Sequence, residues 1–228
     1  MGIFLLVHGA SISARPFIED SAAWKEQVEL HNGDRIIVER SYKLGGRREP
    51  GQGPPMTEQT AAFTLPGTNN KIVWHTTYGL EESDSNLELL AIEVANGSAY
   101  LVARPVNCIA YNRWGRPNPF YVFFVYGKDG WRHIPITDVP SAIKTPNVLL
   151  GPLNYHKRLK EATAPLMAEE IRKANTKATE QPSAIHYRVF GREPVTSGRD
   201  NLEKACRDVI YKYNAERKWI EEIPRPKK

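Results

Sequence analysis

The chain has 228 residues, 41% of them apolar and 25% charged, with a formal net charge of +5. That length suits one or two domains, and that apolar content supplies a core of ordinary size, which excludes wholesale disorder. No stretch approaches the roughly 18 apolar residues of a membrane helix, which excludes a multispan membrane protein.

Charge is unevenly placed. Residues 1–150 carry 14 Lys and Arg against 15 Asp and Glu, whereas residues 151–228 carry 17 against 11. The basic excess therefore lies in the C-terminal third. Such a patch suits nucleic acid, an anionic membrane or an acidic partner, or is simply a solvated helical face.

The first element is the apolar run Ile3-Phe4-Leu5-Leu6-Val7 followed by His8-Gly9. In α/β-hydrolases a similar strand and His-Gly turn helps place a backbone N–H toward a developing oxyanion. That chemistry needs a nucleophile in a G-x-S-x-G elbow, with an acid and a histidine downstream. No such elbow exists: Ser98 has glycine on one side only, and Ser197 follows no apolar strand. An export signal is the better match, because Gly9, Ala10, Ser11, Ser13 and Ala14 follow the run, although no basic residue precedes it. Residues 1–14 are thus expected to be a degenerate signal or anchor segment, with a buried N-terminal strand as the alternative.

From Trp24 to about Pro140 the pattern is β. Short β-branched and aromatic runs alternate with turn residues. Residues 27–30 and 35–39 flank Asn32-Gly33, a strong hairpin signal because both residues tolerate positive φ. Residues 63–65 and 71–75 flank Pro66-Gly67. Residues 87–94 and 100–103 flank Asn96-Gly97. Residues 120–126 and 131–134 flank a Gly127–Gly130 turn. The runs at 89–94 and 121–126 are apolar on both faces and are expected at the centre of a sheet. The Gly- and Pro-rich stretch 43–55 reads as an irregular loop. The acidic stretch 81–86 lacks the ordered spacing of a calcium loop and reads as a solvated turn.

After Pro146 the texture becomes helical. Residues 156–164 and 165–178 read as helices, with Pro165 in the first turn of the second. Residues 184–190 read as a further strand. Residues 200–220 form the clearest helix, opened by a near capping box at Asp200 and Glu203. Its apolar face includes Leu202, Cys206 and Val209, and its basic face carries Lys204, Arg207, Lys212, Arg217 and Lys218. The expected fold is α+β: an antiparallel β-meander of about eight strands, sandwich-like or a partly closed barrel, with C-terminal helices. Residues 15–146 form the β domain and residues 147–228 a mainly helical region packed on it.

The two cysteines, Cys108 and Cys206, exclude zinc ribbons and C-x-x-C redox sites. In an oxidising compartment they pair as one long-range disulfide; in the cytosol they remain two buried thiols.

The most distinctive stretch is Asn107 to Pro119, which gathers Tyr111, Arg113, Trp114, Arg116 and Asn118 among Gly and Pro. Arginine with aromatics suits stacking on bases, sugars or a partner's side chains. The same residues also suit a structural plug, with Trp114 as a lid on the core. The wording Ala110-Tyr111-Asn112-Arg113-Trp114-Gly115-Arg116-Pro117-Asn118-Pro119, continued by Phe120 to Phe124 and with Glu49-Pro50-Gly51-Gln52 upstream, resembles a family of uncharacterised bacterial proteins. Many of its members bear an export signal or membrane anchor. The resemblance spans about residues 24–150 and implies envelope localisation, but no activity.

None of the six histidines shares the i, i+4 spacing of a helical metal pair, so neither metal nor cofactor is expected. His75 and His133 end hairpin strands and could meet in space. The functional expectation is an envelope-associated binding or structural protein, periplasmic or membrane-anchored, whose partner is an envelope protein or glycan. The alternatives are a cytoplasmic nucleic-acid binder using the basic C-terminal helix, and an unrecognised hydrolase.

Overall fold

The computed structural model describes residues 20–46, 53–79, 84–178, 189–193 and 206. Eight strands form two antiparallel sheets. The first contains β1 (Asp20–Glu29), β2 (Arg35–Leu44), β3 (Met56–Thr64) and β4 (Lys71–Thr77), neighbours in that order. The second contains β5 (Leu87–Ala95), β6 (Ser98–Pro105), β7 (Val122–Gly127) and β8 (Gly130–Ile134), again in sequence order. Each sheet is a meander of hairpins, and neither closes into a barrel. At the β5–β6 turn Asn96 and Gly97 both take positive φ, 52° and 73°, as an Asn-Gly hairpin turn requires.

Period-two alternation builds the core. In β1 the buried positions are Ala22, Trp24, Glu26 and Val28. The inner face of the first sheet, with Val28, Val38, Phe63 and Ile72, meets that of the second, with Leu89, Ile92, Leu101 and Val122. Two smaller clusters flank this sandwich. One lies on the outer face of the second sheet, where Val139, Ile143, Leu150 and Phe190 cover Leu90, Val102 and Phe123. The other lies where Leu159, Leu166 and Ile171 cover Ala22, Trp24, Tyr42 and Leu44 of the first sheet.

The strand β7 lies inside its sheet, as its two-faced apolar run predicts. The strand β5 departs from expectation: it is an edge strand by pairing. It reads as central because segment 135–150 covers its outer face. The register also shifts at Leu89/Ala91, so Leu90 is an extra residue that turns outward while Leu89 and Ile92 stay in the inner core. Asn147 covers the β5 edge: Ile92 N–H donates to Asn147 Oδ1 at 3.0 Å, and Asn147 Nδ2 donates to Ile92 O and Glu29 O.

Three further boundaries move. Residues 108–113, read as loop, form the helix α1 (Cys108–Arg113), capped by Asn107 Oδ1 accepting from Ala110 N–H at 2.8 Å. The first predicted C-terminal helix is short, α2 (His156–Lys160). The second, α3 (Ala168–Ala178), starts three residues late. Pro165 is not in its first turn, because Leu166 forms an isolated parallel bridge to Glu26 of β1: Gln27 N–H donates to Leu166 O and Leu166 N–H to Lys25 O. This bridge covers the β1 edge. On the opposite side, Trp131 Nε1 donates to Val73 O on β4 at 2.8 Å and links the two sheets. Among the described residues no helix is long and apolar enough to cross a membrane. The predicted signal segment 1–14 and most of the strand 184–190 lie outside the described residues, as does the helix 200–220 apart from Cys206; within the predicted strand, Val189 and Phe190 are described and are not in a strand.

Candidate functional site

The stretch 107–119 starts where β6 ends. Its helix α1 exists because Asn107 supplies the cap and Gly115, at φ 76°, ends the turn that follows. Tyr111 is buried at 2% exposure and packs on Phe120, with ring centroids 5.4 Å apart. Trp114 is half-buried against the inter-sheet core. Its ring meets Phe124 edge-on at 5.5 Å and His133 at 5.7 Å, and its Nε1 donates to Ser85 O at 3.0 Å. Partial burial against these rings holds the His133 imidazolium pKa below its ordinary value. His75 is on the outer face of the first sheet beside Glu58, so the two histidines do not meet.

Arg113, Arg116 and Asn118 are half-buried at the rim of the same loop. Arg116 has φ 57°, and its Nε donates to Asn112 Oδ1 at 2.8 Å. Asn112 is itself buried, and its Nδ2 donates to Cys206 O at 3.4 Å. Cys108, the first residue of α1, is disulfide-bonded to Cys206, with Cα atoms 4.9 Å apart. The structure thus brings all five loop residues and both cysteines together. Within the loop the labour divides. Trp114 packs against the inter-sheet core and Tyr111 against Phe120, while Arg116 reaches back to the buried Asn112. The basic residues Lys204, Arg207, Lys212, Arg217 and Lys218 lie outside the described residues.

Two histidine constellations escaped the sequence reading. His31, after β1, donates its Nδ1–H to the buried carboxylate of Glu93 at 2.5 Å. Its Nε2 accepts from the backbone N–H groups of Lys144 and Thr145, each at 3.2 Å. This clasp ties segment 144–145 to the β1–β2 turn. At the other end of β1, Tyr42 Oη lies 2.6 Å from His156 Nδ1, and His156 Nε2 lies 2.9 Å from Asp20 Oδ2. Lys160 Nζ adds a 2.8 Å bond to Asp20 Oδ1. That ammonium, with His156, holds the Asp20 carboxyl pKa below its usual value. Burial, reinforced by the Asp20 charge, pushes the Tyr42 hydroxyl up to about 12, so it stays protonated and pins α2 to the sheet. In both constellations each ring nitrogen already has a partner within the fold. Neither was legible in the sequence, because the partners stand 62, 114 and 136 residues away.

Comparison with known protein families, with curated proteins and with solved structures found no match.

Proposed function

We propose that this protein is a non-catalytic binding or structural protein of the cell envelope. The observation that carries the reading is the Cys108–Cys206 bridge, since disulfides form and persist in oxidising compartments. The signal-like start and the resemblance of the Ala110–Phe124 wording to signal-bearing bacterial proteins support the same compartment. Support for a non-catalytic role comes from the histidines: His31 and His156 spend both ring nitrogens on internal hydrogen bonds, which suits clasps better than general bases.

Intact mass of native protein from fractionated cells, under non-reducing conditions, tests the reading. The expected result is a chain in the envelope fraction that has lost its first dozen or so residues and is two hydrogens short of the reduced mass. A full-length, fully reduced chain in the cytosol overturns it and moves nucleic-acid binding to the front.

A further inference from the structure

A half-open cavity of about 530 Å³ lies where the β1–β2 turn, segment 145–147 and α3 converge. That volume falls within the ordinary range of small-molecule sites. Its floor is apolar, built from Leu30, Pro146, Ala168 and Ile171. Its rim is polar, built from Glu29, Thr145 and Arg172.

The walls are fixed before any ligand arrives. His31 is held by Glu93 on one nitrogen and by segment 144–145 on the other. The Asn147 side chain is held by Ile92 and Glu29. Asn175 of α3 accepts from Leu150 N–H and donates to Val148 O. A site with locked walls loses little side-chain freedom on binding.

The charges at the rim are balanced. Glu29 accepts from Arg35 at 3.1 Å and from Arg172 at 3.3 Å, and Arg172 also bonds Glu169. An anion would have to draw Arg172 from two carboxylates. A cation would meet Arg172 while competing for a Glu29 that two guanidiniums already hold. A neutral ligand avoids both costs. The hydroxyl of Thr145 points to His31 Nε2 at 3.3 Å and keeps its own lone pairs as acceptors. Arg172 carries five N–H donors, more than its two carboxylate partners consume. The rim therefore offers acceptors and donors together. A hydroxyl group is both, and an apolar floor suits the C–H face of a sugar ring. From this complementarity we propose that the cavity is a binding site for a neutral saccharide unit. The inference rests on reading the chain as a binding protein and supplies that reading with a ligand class and a site apart from the 107–119 loop.

The test is amide NMR of the full oxidised chain titrated with maltose and, separately, with di-N-acetylchitobiose at millimolar concentration. The expected result is a saturable shift at residues 30–33, 145–147 and 171–176 with at least one sugar. Arg172→Met and Thr145→Val, both at the rim, should weaken that binding about tenfold and about fivefold, the effects of losing one hydrogen bond to a charged and to a neutral group. Their amide spectra away from the cavity report whether they remain folded. Absence of a saturable shift with both sugars overturns the proposal, as does binding that both variants leave unchanged. The titration is independent of compartment, so its failure is distinguishable from failure of the mass measurement.

Discussion

Glu26 occupies a position that the alternation of β1 assigns to an apolar side chain. It is fully buried, and Arg40 on the next strand is 2% exposed. Arg40 Nη1 donates to Glu26 Oε1 at 3.0 Å and to Leu149 O at 2.9 Å, while Trp24 Nε1 donates to Glu26 Oε2. The guanidinium also lies 5.0 Å from the Trp24 ring centroid. Arg40 Nε and the nearby Gln59 Oε1 have no hydrogen-bond partner among the described residues. Desolvating two charges opposes their attraction, so such a pair contributes little net stability, yet losing one member strands the other. Arg40→Met is therefore expected to lower the unfolding free energy by about 3–5 kcal/mol. The double variant Glu26→Leu/Arg40→Met should recover most of that loss in urea denaturation. A double variant no more stable than the single one would refute this account. The sequence places both residues on the inner face by spacing alone. It gives no sign that they meet, because their contact depends on the β1–β2 register and on Leu149 arriving from 109 residues away.

At the scale of elements, each strand edge discussed above is covered by a different device. Leu166 pairs with β1, Asn147 imitates a strand beside β5, and the Trp131 indole reaches β4. An uncovered edge is a template for pairing with another chain, so these contacts keep the two meanders from associating through their rims. The α1 loop does comparable work at one end of the sandwich. Trp114 joins the 85–86 connection to β7 and β8 through one hydrogen bond and two ring contacts. Trp114→Ala is expected to lower the unfolding free energy by about 2–3 kcal/mol, somewhat below the cost of deleting a fully buried tryptophan. Arg116→Ala should cost less, about 1 kcal/mol, because it leaves the buried Asn112 Oδ1 without its donor at a partly solvated site. Thermal melts of the two variants check this. Equal effects would remove the distinction between the core-packed indole and the guanidinium bonded to Asn112.

At the scale of the whole molecule, the disulfide links α1 to a residue 98 positions further on. It constrains the unfolded chain far more than the folded one, where Cys206 is buried at 1% exposure. In the loop-entropy account, closing a loop of that size stabilises by about 4–5 kcal/mol. Replacing both cysteines by serine should lower the urea midpoint accordingly, and adding a reductant to the native protein should reproduce the shift. A midpoint that neither change moves would leave the bridge without a stabilising role. By itself, the sequence determined the two-residue alternation, the hairpin turns and the switch from β to helical texture near residue 146. Those features follow from interactions among near neighbours in the chain. Only the tertiary structure decided that the eight strands divide into two stacked sheets, that β5 is a covered edge, and that Leu166 bridges to β1. It alone decided that Glu93 meets His31 and that Asp20 meets His156. Such contacts depend on how whole sheets face one another, and local spacing carries no information about that.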